Sequence, residues 1–207
     1  MCGGEKSRTD SAGKVEKGLD HDPPAKEKMV PFGVLVLLTQ ALTLVFGVAE
    51  TSDFWVDALQ VWWGRVRAQF RRIKCLVIYL DNGPENSGRR TQFLKRMVQF
   101  ADRSGLIIRL VYYPPYHSKY NPIERCWSSL EQKWSGVLLR CWAVIRACAL
   151  RMTWCGQHPV VMRLWGSNEK KVRVKAKEMA QIESRLERSA TLPKYDITIS
   201  PKKPRGR

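Results

Sequence analysis

Apolar positions along this chain fall into blocks with two different periods, and the blocks alternate. The first block, residues 30–49, contains no charged residue. Its two halves, Phe32–Leu38 and Ala41–Phe46, flank the polar pair Thr39-Gln40, the pattern of a hairpin of two short strands. Gln40 is poor turn chemistry, since a two-residue hairpin favours Gly or Asn. Twenty uncharged positions are also long enough to span a bilayer, with Lys26 and Lys28 before them and Glu50 and Asp53 after. Pro31, Gly33, Thr39, Gln40, Thr43 and Gly47 interrupt that run and favour the hairpin.

The period then changes. Thr51-Ser52-Asp53 supplies an N-cap and an acidic first turn, and Trp55, Leu59, Trp62, Val66 and Phe70 follow as a helical stripe that reads as core packing. Cys75-Leu-Val-Ile-Tyr-Leu80 is a continuous apolar run, expected as a buried strand. A helix is predicted near 88–103 with Phe93, Met97 and Phe100 on one face and Gly105 as its C-cap. Leu106 to Tyr112 is the next strand, ended by Pro114-Pro115, and Asn121-Pro122 opens another helix. Residues 169–188 are highly charged, with Val172, Met179, Ile182 and Leu186 at helical spacing, and predict a long exposed helix. The ending Ser200–Arg207 is basic and Pro-rich, the composition of a disordered tail.

Strands alternating with helices define an α/β fold with parallel neighbours and crossover helices. Ligands bind such sheets beyond the ends of the strands, where Asp81 stands. The expected organisation is an irregular segment at 1–30, a catalytic-type α/β domain at 31–165, and a basic helix and tail at 166–207.

Charge narrows the partners. The net charge is +17, and residues 137–207 carry 16 basic against 5 acidic side chains, which favours a polyanion. The six cysteines form no Cys-x-x-Cys pair. Cys141, Cys148 and Cys155 recur every seventh position, so on a helix they stack about 10 Å apart, too far to share a metal. They read as small packing residues in a reducing cytoplasm.

Two carboxylates carry the candidate chemistry. Asp81 follows a strand, and Glu124 lies in the first turn of a helix. Hard oxygen ligands at a sheet edge suit divalent cations, and a two-ion site can hold the attacking and leaving oxygens of a phosphoryl transfer. Structural readings compete. Asn121, Pro122 and Glu124 match a capping box, and Asp81 can cap the turn that follows it. Arg89 and Arg90, just after that turn, are candidates to hold a DNA phosphate. Tyr116, His117 and Lys119 lie on the loop before Glu124, where an aromatic ring can stack on a base or pack on the sheet.

The segments Leu80-Asp-Asn-Gly-Pro-Glu-Asn-Ser87 and Tyr113-Pro-Pro-Tyr-His-Ser-Lys-Tyr-Asn-Pro-Ile-Glu-Arg-Cys-Trp127 resemble the second and third acidic motifs of the DDE transposases of bacterial insertion sequences, the mariner-like branch of the retroviral-integrase superfamily. The resemblance runs from about Lys6 to Ile199. It implies an RNase H-like mixed sheet flanked by helices. It also implies DNA strand cleavage and transfer with two Mg²⁺ or Mn²⁺ ions, Asp81 and Glu124 as catalytic metal ligands, and transposon ends and target DNA as partners. A homo-oligomer at the nucleoid is implied for the intact enzyme. The family's first acid lies upstream of anything matching Gly3–Thr9, so the chain is expected to lack the first strand and its Asp and to be inactive as it stands. Asp10, Asp20 and Asp22 all follow that position. A non-catalytic DNA-binding remnant is the alternative, and a single-span membrane protein through 30–49 a lesser one.

Overall fold

The computed structural model describes residues 29–114, 117, 120–166, 169–170 and 172–202, and the backbone of two short strands, β1 (Ser7–Thr9) and β2 (Val15–Lys17), paired antiparallel. The uncharged block folds as a hairpin of β3 (Val30–Val36) and β4 (Ala41–Gly47) rather than as a membrane span. No helix among the described residues is long and apolar enough to cross a membrane. The turn takes four residues, 37–40, instead of two, and Gln40 closes it at φ 57°. An L-residue pays for that left-handed backbone. Gln40 offsets the cost with its side chain, which donates to the Leu37 carbonyl at 2.8 Å and accepts from the Trp154 indole at 3.1 Å.

Thr51 caps α1 (Ser52–Val66), its hydroxyl accepting from the Phe54 amide at 3.1 Å, and the helix ends in a single 3₁₀ turn. Strand β5 (Cys75–Leu80), helix α2 (Thr91–Ser104) and strand β6 (Ile107–Tyr112) form the expected βαβ unit, with β5 and β6 parallel. Gly105 closes α2 in the left-handed conformation (φ 71°), as its place after the apolar stripe predicts. Helices α3 (Pro122–Trp134) and α4 (Trp142–Leu150) lead to β7 (Val160–Arg163), which joins β4 in parallel.

The long helix expected at 169–188 is shorter. Helix α5 spans only Ala176–Glu183, and the chain turns at once into β8 (Leu186–Arg188) and then β9 (Asp196–Ile199). Ile197 and Ile199 alternate with polar neighbours and are fully buried, so period-two burial against β6 decides this region. The tail is strapped down as far as Lys202, whose amide donates to Asp102 at 2.8 Å; residues 203–207 lie outside the described residues. Arg185 bonds Asp102 and the Ser200 carbonyl. The cysteines do not stack on one helix. Cys148 is buried within α4, but Cys141 stands at its N-cap and Cys155 beyond its end, both exposed, because α4 is only nine residues long.

The result is an α/β architecture of two mixed sheets flanked by helices, consistent with an RNase H-like fold, in the orders β3-β4-β7 and β5-β6-β9-β8. One core runs beneath both sheets and packs Phe32, Leu80, Ile108 and Ile197 against α1 and α2. A second packs Leu42, Leu44 and Phe46 against Cys126 and Leu130 of α3 and Ile145 of α4. Strand β4 is thus buried on both faces. Strand β5 is not, against expectation: Val77 is 42% and Tyr79 50% exposed. It is an edge strand, and helices cover only one of its faces.

Candidate metal centre

Asp81 is the first residue past β5, and the turn after it is built around its carboxylate. Asn82 takes φ 64°, a left-handed backbone that Asn tolerates. Oδ1 of Asp81 accepts from the Gly83 amide at 3.3 Å and from Asn86 Nδ2 at 2.9 Å. Asn86 is itself buried, and its carbonyl accepts the Tyr112 hydroxyl at 3.1 Å. Burial holds that phenol well above its ordinary pKa. The capping reading of Asp81 is therefore real, but it uses one oxygen; Oδ2 makes no hydrogen bond among the described residues.

Glu124 has no such occupation. Asn121 makes no side-chain capping bond, so the capping box that the sequence offered is not formed. The Glu124 carboxylate is left unbonded among the described residues. Burial raises its pKa, and the negative charge of Asp81 raises it further. Both carboxylates line the same cavity of about 650 Å³. Two mutually repelling acids with free oxygens form a donor set of the right chemistry for a divalent cation. Among the described residues no third His, Cys, Asp or Glu joins them as a metal-binding group.

The basic candidates separate. Arg89 is exposed and makes no side-chain hydrogen bond or ion pair among the described residues. Arg90 instead pairs with Glu85 at 3.3 Å, and Glu85 Oε2 also accepts from the Ser52 amide at 3.2 Å and its hydroxyl at 3.1 Å. This ties the Asp81 turn to the start of α1. His117 is exposed and stacks on Tyr120 with ring centroids 5.8 Å apart. Tyr116 and Lys119 lie outside the described residues. Sequence reasoning missed Asn86 and Tyr112 as supports of Asp81, although Asn86 lies within the motif quoted for it.

An α/β fold with two acids from separate segments lining one cavity defines a class of candidate phosphoryl-transfer domains. Comparison with known proteins is consistent with that class. The chain matches the family described as Rhodopirellula transposase DDE domain over residues 3–201 and belongs to it. It is also 29% identical over 109 residues to the insertion element IS630 uncharacterized 39 kDa protein of Shigella sonnei. That match covers 52% of this chain and 28% of the relative's length. No solved structure matches the chain.

Proposed function

We propose that this chain supplies two acids of a metal-dependent site for DNA strand cleavage and transfer in transposition, with Asp81 and Glu124 as the ligands. The observation that carries this reading is the convergence on one cavity of two carboxylates from different motifs, one with a free oxygen and the other unbonded. A pair of Mg²⁺ or Mn²⁺ ions, when bound, supplies positive charge against the oxygens of a phosphodiester. The chain's own residues prepare for this. Asn86 fixes the orientation of Asp81, Glu85 and Ser52 anchor the turn, and α3 carries Glu124 on a regular helix. Arg89, Tyr116, His117 and Lys119 are assigned to the DNA strand, Arg89 to a phosphate and the loop aromatics to an unstacked base. Arg90 reaches DNA only by giving up Glu85.

A third acid comes from outside the described residues in this reading, and Asp81 and Glu124 as a pair do not cut DNA without it. The complete enzyme works on transposon ends and target DNA as a homo-oligomer in the cytoplasm, at the nucleoid. The experiment is a Mn²⁺ titration followed by electron paramagnetic resonance. Asp81→Asn and Glu124→Gln should each weaken binding by about tenfold or more; unchanged binding in either removes that residue from the site. Incubation of the unmodified chain with transposon-end duplex and Mn²⁺ should leave the DNA intact. Cleavage that disappears on mutating Asp20 or Asp22 would place the first acid inside residues 1–28.

A further inference from the structure

Positive charge gathers on the loop between α1 and β5. From Ala58 to Leu80 the sequence carries no acid, and its charged residues are Arg65, Arg67, Arg71, Arg72 and Lys74. All of them are exposed, and apart from Arg65 and the helix end it sits on, none has a side-chain hydrogen bond or ion pair among the described residues. The fold brings other cations to the same place. The Lys74 carbonyl accepts the Ile107 amide at 2.9 Å, so the loop meets the chain just past α2, where Arg103 stands exposed. Strand β9 runs antiparallel to β6 and pairs Ile199 with Ile108, which returns the chain to this end, and the Lys202 amide then bonds Asp102 at 2.8 Å. Three further cations, Lys203, Arg205 and Arg207, follow in the sequence.

Structural work accounts for two of these side chains. Arg65 sits in the last turn of α1, where a cation offsets the helix dipole, and Arg103 donates to Gln60 at 2.8 Å. Arg67, Arg71, Arg72 and Lys74 have no such task. Acids toward this end of the sheet do not neutralise them. Asp102 is held by Arg185 and by the Lys202 amide, and Glu187 stands on β8, at the far edge of the sheet from β5. Unneutralised cations, most of them arginine, suit phosphate oxygens, which the guanidinium fork grips through paired hydrogen bonds.

The cluster does not continue the metal centre. It lies at the start of β5, and Asp81 stands past the end of that six-residue strand, about 20 Å away. Between them β5 turns Cys75, Val77 and Tyr79 outward, none of them charged. The cavity at the Asp81 end is lined by Glu50, Glu85 and Glu131 as well, and by no Lys, Arg or His. A duplex laid along β5 would pass about six base pairs over these residues without meeting a cation. We propose that the cluster at the start of β5 is a second DNA site, which grips the backbone of a duplex other than the one whose strand meets Asp81 and Glu124. It reads no sequence, because phosphate contacts carry none. That the polyanion is DNA rests on the function proposed above; the grip itself needs neither carboxylate nor metal.

The probe is a short duplex of arbitrary sequence, added to the full chain in EDTA. At low salt it should shield Lys74 from acetylation about threefold or more, read by mass spectrometry on the unmodified chain. Arg67→Gln, Arg71→Gln, Arg72→Gln and Lys74→Gln combined leave Arg65 and Arg103 at their structural tasks. This variant should lower the slope of log affinity against log salt by about two or more. Exchanging the same arginines for lysine, with Lys74→Arg, keeps the charge and should restore most of the slope. Absence of shielding at Lys74, or an unchanged slope in the Gln variant, overturns the proposal. So does binding to phosphatidylserine vesicles that the Gln variant loses while its duplex affinity stays, since the partner would then be a lipid surface. In Mn²⁺, energy transfer between two differently labelled duplexes should appear on the unmodified chain and vanish in the Gln variant; transfer that persists in the variant removes the second duplex from this site. Because shielding and slope are read in EDTA, their failure leaves the Asp81–Glu124 reading standing, and loss of Mn²⁺ binding leaves this grip.

Discussion

Glu124 is charged at a cost. Its pKa is raised by burial and then by Asp81, so ionising it destabilises the fold. The stability that the protonated form contributes is present at low pH and is lost as pH rises through the raised value. Glu124→Gln should therefore raise the melting temperature of the metal-free chain at neutral pH, by a few degrees or less since the group is only half-buried. It should also flatten the pH dependence between mildly acidic and neutral conditions. A melting curve for the variant that falls below the parent at neutral pH would mean that Glu124 makes a stabilising contact. Asp102 and Asp196 act in the opposite sense. Burial pushes Asp102 up, but the Arg185 side chain and the Lys202 amide outweigh it, and Arg109 holds Asp196 down. Their stability is present above the ordinary carboxylate range and is lost as pH falls through their depressed values, so it does not interfere with the Glu124 window.

At the scale of elements, the β3–β4 hairpin depends on close approach to α1. A Cβ placed on Gly47 would lie 2.3 Å from the Phe54 ring, itself buried beside the first turn of the helix. Gly47→Ala should destabilise by about 1–3 kcal/mol, read from urea unfolding; a midpoint unchanged from the parent would show that the ring swings aside freely. Elements with a strong local signature were legible beforehand. The Thr51 cap, the Phe93–Met97–Phe100 stripe and the Gly105 stop each act within a turn or two of their own sequence. The hairpin was legible for the same reason, although its turn was not, because Gln40 is held by Trp154, which is 114 positions away. The C-terminal strands were hidden by composition: Asp196–Ile199 is short, and the burial that makes it a strand comes from β6. Asp81 and Glu124 could be picked out from their motifs. That Asp81 shares its carboxylate with Asn86 while Glu124 leaves its own free depended on how β5, β6 and α3 converge.

Across the whole molecule the basic excess is unevenly used. Arg96 is committed to Asp53 and Asp57, Lys95 to Glu178 and Arg109 to Asp196, so these cations of the middle of the chain are internally paired. The chain should still bind duplex DNA without sequence preference, and the affinity should fall steeply with salt as condensed counterions are released. Arg89→Ala should reduce the slope of log affinity against log salt by about one, measured by fluorescence anisotropy at several salt concentrations. Arg96→Ala should leave the slope as it is. Affinity insensitive to salt would show that the surface does not grip phosphates, and would remove the DNA-binding reading in both its catalytic and non-catalytic forms.

The order β5-β6-β9-β8 carries a consequence for how the protein is made. Strand β9 is made long after β6, yet it sits inside its sheet, between β6 and β8, and brings Asp196 back to Arg109 across 87 positions. A nascent chain that has already released β5, α2 and β6 leaves Ile108 and Leu110 without their cross-strand neighbours until Ile197 and Ile199 arrive. The sheet must therefore wait until β9 is made, and long-range closure of this kind is slow. A stop codon just ahead of β9 would cost the seam of the sheet, leaving a polypeptide that chaperones and proteases meet before DNA does.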